Sequence, residues 1–347
     1  MKKYLSAALL ALLLLCMTAC SDQKNKEGDA PAPQPSDFTA LTDIEEGRPD
    51  IYLIVKLIDS GYWQVIIKGA QEAGKDLDCN VYYAGTSIET DWQGQRKLLE
   101  TAVSRGADAI ILSPDDSVEL SPDIEKIHKK SIPVILIDTA ANTESFDICY
   151  MTDNLLAGEN AAKEMLSKLH ACGHADDETL SVGIIVGTSN SQTISERLAG
   201  FYQFWSANAP SAWTIISDIK NCNGVNEQGE SMTVDLMNDY PDLAGLYGTN
   251  NGPTKALCTA VSKQGRKDLV IVGFDYSDEM KALLESDEYN ASTMLQRQYD
   301  MSYNGVRSAL DLLGGNAPEV KFTDTGVVCV NHDNLTDPDV VNVLQHN

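Results

Sequence analysis

From residue 51 onward, short apolar, β-branched runs alternate with longer helical stretches, and this alternation leaves few folds open. Runs at 51–55, 81–84, 109–112 and 134–137 read as strands. Between them, 62–77, 91–105 and 120–130 carry a helical pattern. Strands buried on both faces read as continuous apolar runs, and parallel neighbours must be joined by crossovers of this kind. Gly74 and Gly106 near helix ends, and Pro133 before a strand, agree with the punctuation. The pattern then repeats, with strands at 182–186, 214–217, 244–247 and 269–273 and helices at 192–208, 225–238 and 253–263. Late strands at 291–295 and 327–330 flank a helix at 299–313. The fold class is therefore α/β, with two doubly wound parallel-sheet lobes. A chain of 347 residues suits two cores better than one.

The first fifty residues do not share this pattern. Lys2 and Lys3 precede an apolar run at 4–17, then Thr18-Ala19-Cys20. Such a run is too short and wrongly flanked for a stable spanning helix and reads as a secretory signal over 1–19. The small residues before Cys20 resemble a bacterial lipobox, which implies a lipid on Cys20; a plain soluble export signal is the alternative. Residues 20–50, with Pro31, Pro33 and Pro35 and few large apolar side chains, read as an extended spacer. The remaining cysteines (Cys79, Cys149, Cys172, Cys222, Cys258 and Cys329) are widely spaced and mostly lie in or beside apolar runs. They read as small buried hydrophobes, with one or two bridges left open.

Charge narrows the function. Against 26 Lys+Arg stand 51 Asp+Glu, for a net charge of −25. A nucleic-acid backbone needs clustered cations, so it is excluded as the main partner. His170, Cys172 and His174 lack a fourth ligand at metal-site spacing, and no metal or cofactor is expected. The Gly187-Thr188-Ser189 turn lacks the Gly-Lys-Ser/Thr ending of a phosphate loop. No histidine stands at a strand end beside a nucleophile, and there is no Gly-x-Ser-x-Gly elbow, so an enzyme is not expected.

In doubly wound sheets ligands bind beyond the carboxyl ends of the strands. There the sequence places Lys56, Tyr62, Trp63, Asp138, Arg197, Asn250, Asp275 and Gln296. Carboxylates, amides and a guanidinium pair with hydroxyls, which both donate and accept, and aromatic rings pack on sugar C–H faces. Lys56 either snorkels to solvent or enters the cleft, where Asp138 is its nearest partner by topology.

These residues, with Gly106-Ala107-Asp108-Ala109-Ile110-Ile111-Leu112-Ser113-Pro114, Thr152-Asp153-Asn154, Glu196-Arg197-Leu198-Ala199-Gly200-Phe201 and Val272-Gly273-Phe274-Asp275, resemble periplasmic-type sugar-binding proteins of the ribose/galactose class. The resemblance covers essentially 50–330. It implies the type 1 periplasmic binding protein fold, with a first lobe of 51–152 plus 297–325 and a second of 153–296 plus 326–347. Three crossings near Asp153, Arg297 and Gly326 would form the hinge. It implies that Tyr62 and Trp63 stack on a sugar ring, that Asp138 and Asp275 clamp hydroxyls, and that Arg197, Asn250 and Gln296 complete the set. The partners implied are a pentose or hexose and an ABC permease, with the membrane reached only through the lipid of a monomer on the cell envelope. The alternative is a receptor reporting to a sensor kinase or chemoreceptor. Thr139 stands where the ribose class has arginine, and Lys56 is similar to the lysine of proteins that bind the furanosyl signal autoinducer-2.

Overall fold

The structure, a computed structural model, describes residues 37–187 and 191–346. The signal segment, Cys20 and most of the spacer lie outside the described residues, as do Thr188, Ser189 and Asn190.

The first half of the alternating pattern becomes β1 (Thr39–Ala40), β2 (Asp50–Leu57), α1 (Gly61–Asp76), β3 (Asn80–Thr86), α2 (Trp92–Ser104), β4 (Ala109–Leu112), α3 (Ser121–His128), β5 (Val134–Ile137) and β6 (Ile148–Met151). The chain then continues through α4 (Asn154–Ala171), β7 (Leu180–Val186), α5 (Gln192–Asn208), β8 (Trp213–Ile215), β9 (Lys220–Asn221), α6 (Asn226–Asp239), β10 (Leu243–Gly248), α7 (Asn251–Gln264), β11 (Val270–Phe274), α8 (Asp278–Leu284) and β12 (Asn290–Gln296). It ends in α9 (Gln298–Leu313), β13 (Phe322–Asp324), β14 (Val327–Asn331) and α10 (Pro338–Leu344).

Two seven-stranded sheets result, one in the order β1-β3-β2-β4-β5-β6-β13, the other running β14-β12-β11-β10-β7-β8 with β9 paired to β7. The type 1 periplasmic binding protein arrangement is thus present, with one departure from a purely parallel plan. β1 and β14 are antiparallel edge strands, against β3 and β12. The chain passes between sheets after β6, after β12 and between β13 and β14, which makes the three-segment hinge.

Period-two alternation divides each strand between two cores. In β2, Ile51, Leu53 and Val55 face α1 and α9, where Ile66, Ala70, Met301 and Val306 meet them. Tyr52 and Ile54 face α2 and α3, against Leu98, Leu99 and Ile124. The second sheet is divided the same way: Val182, Ile184 and Val272 pack on α4 and α5, while Ile185, Leu246 and Ile271 pack on α7 and α8.

Two local differences from the sequence reading have physical causes. Residues 37–50, expected within the spacer, are folded: Phe38 is buried edge-on against Tyr52, and Leu41 donates its N–H to Val81. Pro31, Pro33 and Pro35 precede this stretch, and its few apolar residues are enough to dock a two-residue edge strand. The strand expected at 214–217 is instead β8, interrupted and resumed as β9, because Ser217 and Asp218 stand between them. The six cysteines within the described residues are free thiols; Cys172 is exposed.

At one helix pair the backbones touch. A Cβ on Gly158 would collide with the Arg197 carbonyl, and one on Gly200 with the Leu155 carbonyl. Glycine at both positions lets α4 and α5 approach closely, and this contact sets where Arg197 emerges.

Candidate functional site

In the first sheet the carboxyl ends of β2, β4 and β5 lie side by side, because the three strands are parallel neighbours. Asp138, one residue past β5, has φ of 63°. A non-glycine residue in this left-handed region is uncommon and is retained only where its surroundings hold it. Its N–H is held by the Tyr150 carbonyl at 2.8 Å. Its carboxylate collects four donors. Tyr62 donates its hydroxyl to Oδ1 at 2.5 Å. Ser113 and Thr139 donate theirs to Oδ2 at 3.1 and 2.7 Å. The Lys56 ammonium stands 3.2 Å from the same oxygen and also donates to Thr139 at 2.7 Å. Lys56 therefore does not snorkel to solvent; it is paired with the partner that topology predicted. Burial by itself raises the Asp138 carboxyl, but Lys56 and the Tyr62 and Thr139 hydrogen bonds outweigh it and hold the group below the usual carboxylate range.

Tyr62 and Trp63 both point into the buried region, with rings edge to face at 4.9 Å between centroids. Two adjacent helix residues manage this because they open α1, where the chain turns in from the strand end. Burial and the nearby Asp138 and Asp275 charges push the Tyr62 phenol well up, so it acts as a donor. The Trp63 indole N–H donates to Glu89 at 2.9 Å.

The second sheet offers a counterpart. Asp275, one residue past β11, has φ of 67°, and its N–H is held by the Met294 carbonyl of the neighbouring strand at 2.9 Å. Its carboxylate receives the Gln296 amide at 2.8 Å, and Gln296 in turn accepts from Thr152 at 2.9 Å, tying two of the hinge crossings together. Burial pushes the Asp275 carboxyl up to about 6, against the lowering effect of Arg197 and Gln296.

Arg197 is only 2% exposed, far from the solvent-facing fate of most helix arginines. Its Nε donates to Asn154 at 2.9 Å and its Nη1 to the Thr249 carbonyl at 2.8 Å. Its guanidinium carbon stands 3.9 Å from the Phe274 ring centroid, a cation–π geometry. Asn250 follows Thr249 at the start of α7; its side chain accepts from the Thr249 hydroxyl at 3.3 Å and fills the space a side chain at Gly187 would need.

The eight residues named from sequence thus form two groups, Lys56, Tyr62, Trp63 and Asp138 on one sheet and Arg197, Asn250, Asp275 and Gln296 on the other. The groups face each other closely enough for the Arg197 charge to act on Asp138 and the Asp138 charge on Asp275. Sequence reasoning missed Ser113, Glu89 and Asp115. Ser113 was findable, since it directly follows β4. Asp115 has both carboxylate oxygens buried, and burial pushes its carboxyl up to about 8. His170 and His174 instead bond to Asp176 and Glu178 beside Trp213.

Residues 51–317 match the family model described as a periplasmic binding protein domain. The chain is 27% identical over 330 residues to the D-ribose/D-allose-binding protein of Pseudomonas aeruginosa, covering 92% of this chain and 95% of that one. It is similar to the structure of a carbohydrate transporter solute-binding protein from Agrobacterium radiobacter in complex with D-arabinose, at TM-score 0.78 and 29% identity, covering 86% and 99% of the two chains. An ABC transporter solute-binding protein from Agrobacterium vitis with bound D-fucose gives TM-score 0.76 and 29% identity, over 84% and 99%.

Proposed function

This chain belongs to the periplasmic binding protein domain family, and from that membership we propose that it is the sugar-binding component of an ABC-type importer. One observation carries the reading. Two aspartates, each in a left-handed conformation one residue past a strand, stand on different sheets within reach of each other's charge. A backbone held this way at corresponding places is expected of groups aimed at a ligand.

In this reading a monosaccharide, a pentose or a hexose, is clamped between Lys56, Tyr62, Trp63 and Asp138 on one side and Arg197, Asn250, Asp275 and Gln296 on the other. Contacts to both lobes favour the closed form, because only differential affinity shifts such an equilibrium. The permease reads the closed form. The relatives named above are named for binding sugars or for transport, which favours import over sensing.

Export and a lipid on Cys20 complete the proposal, supported by the basic start, the apolar run and the small residues before that cysteine. A thermal-shift screen against pentoses and hexoses tests the ligand, since binding to the native state alone raises Tm. No shift with any sugar at millimolar concentration overturns the reading. Cys20→Ala tests the anchor: the protein is expected to leave the membrane fraction, and a variant that resists a carbonate wash refutes the lipid.

A further inference from the structure

The Trp63–Glu89 contact was assigned neither by the strand-end pattern nor by the resemblance. β3 runs parallel to β2 and ends at Thr86, so the chain leaves the sheet on the same edge as Lys56, Ser113 and Asp138. Three residues later Glu89 accepts the Trp63 N–H. Trp63 is 2% exposed, and a buried indole N–H left without an acceptor is costly, so Glu89 decides which way the ring faces.

Glu89 itself is exposed and forms no ion pair among the described residues. Through Trp63 it stands beside the strand-end group: the Trp63 ring lies 4.9 Å from that of Tyr62, which bonds Asp138, and 5.9 Å from the Lys56 ammonium. The two cations of the cleft are already engaged. Lys56 is held by Asp138 and Thr139, and Arg197 by Asn154 and the Thr249 carbonyl. A ligand carboxylate would therefore meet Glu89 while having to share a cation already bonded to protein.

We propose that Glu89 is a further specificity-determining residue of the cleft: it orients the Trp63 indole and, as a carboxylate beside the strand-end group, selects sugars that present a donor over sugars that carry a negative charge. The inference rests on the sugar-cleft reading above and adds the ligand's charge class to it. A hydroxyl or an amine satisfies Glu89, whereas a uronic acid is repelled.

The test is calorimetric titration of wild type, Glu89→Gln and Glu89→Ala with a neutral aldohexose that binds, its uronic acid and its amino sugar. Glu89→Gln keeps an acceptor for the indole and removes the charge. It should hold the neutral sugar within about twofold while shrinking the penalty on the uronic acid roughly tenfold, the effect of a unit charge at about 10 Å in a medium of effective dielectric ~20. Glu89→Ala frees the indole as well and should weaken the neutral sugar too. An unchanged ratio in Glu89→Gln, or a uronic acid that stays undetectable, overturns the selecting role. Undiminished neutral-sugar affinity in Glu89→Ala overturns the orienting role. If no neutral sugar binds wild type, the cleft reading falls and takes this inference with it; binding with an unchanged ratio removes this inference alone.

Discussion

Asp138 and Asp275 occupy corresponding places in the two lobes and share a backbone conformation, yet their carboxyls are shifted in opposite directions. Asp138 has three hydroxyl donors and a cation, and stays ionised. Asp275 receives one side-chain hydrogen bond among the described residues, from Gln296, and burial carries its carboxyl to about 6. The Arg197 guanidinium lowers it but donates its hydrogen bonds elsewhere. The comparison teaches that backbone geometry and charge are set separately. The strand end and its neighbour fix where each carboxylate points. Residues from other elements fix what it is. The first lobe offers an anion already satisfied by protein; the second offers a carboxyl that takes up a proton more readily, with more of its hydrogen-bonding capacity unused by protein.

The strongest way to break this contrast is Asp138→Ala. It leaves the Lys56 ammonium buried without its counter-charge, which is expected to destabilise the fold by about 3–5 kcal/mol and to abolish sugar binding. Denaturant titration and calorimetry measure the two losses. A variant of wild-type stability would show that the four-donor cage is not what holds Lys56 inside.

A second experiment uses pH. Asp275 has a folded pKa raised above its unfolded value, so its contribution to stability is fully present below about pH 4 and is lost as pH rises through about 6. Relative to Asp275→Asn, wild type should lose about 2–3 kcal/mol across that window, since a tenfold change in proton affinity on folding corresponds to about 1.4 kcal/mol. Asp138 has the opposite sign. Its folded pKa is lowered, so its contribution is present above the unfolded value and lost as pH falls. Thermal melts from pH 2 to 8 should therefore show the Asp275→Asn difference changing between about pH 4 and 6, and the Asp138→Asn difference changing only below about pH 4, with the opposite sign. Parallel curves would mean that the two lobes are electrostatically alike after all.

The smallest effect is expected of Lys56→Met, which keeps the stem and leaves Asp138 its three hydroxyl donors. A loss of roughly 1–2 kcal/mol in binding, with a changed order of preferred sugars, would sharpen the comparison. An unchanged order across a ligand panel would confine Lys56 to a structural role.

The sheet-and-helix alternation was legible because buried parallel strands have an unmistakable apolar signature. The Lys56–Asp138 pair was legible for a simpler reason: β2 and β5 flank β4, so the residues at their carboxyl ends share one edge. Glu89 was not. It stands in an exposed loop with no periodic signal, and only the fold of α1 brings Trp63 to it. The folded stretch at 37–50 was hidden by its polar composition, since two residues of edge strand leave almost no pattern. The depth of Arg197 was not visible. That depth comes from glycines on two helices far apart in sequence.

The same helix contact has a mechanical meaning. α4 starts at the first crossing between the lobes, and Asn154 in its first turn grips Arg197 on α5. With the two backbones pressed together at Gly158 and Gly200, there is no slack between the pivot and the guanidinium. The pair works as a crank. The first crossing and the guanidinium are thus parts of one tightly packed helix pair, so that a change in the angle of α4 at residues 152–154 would carry Arg197 with it.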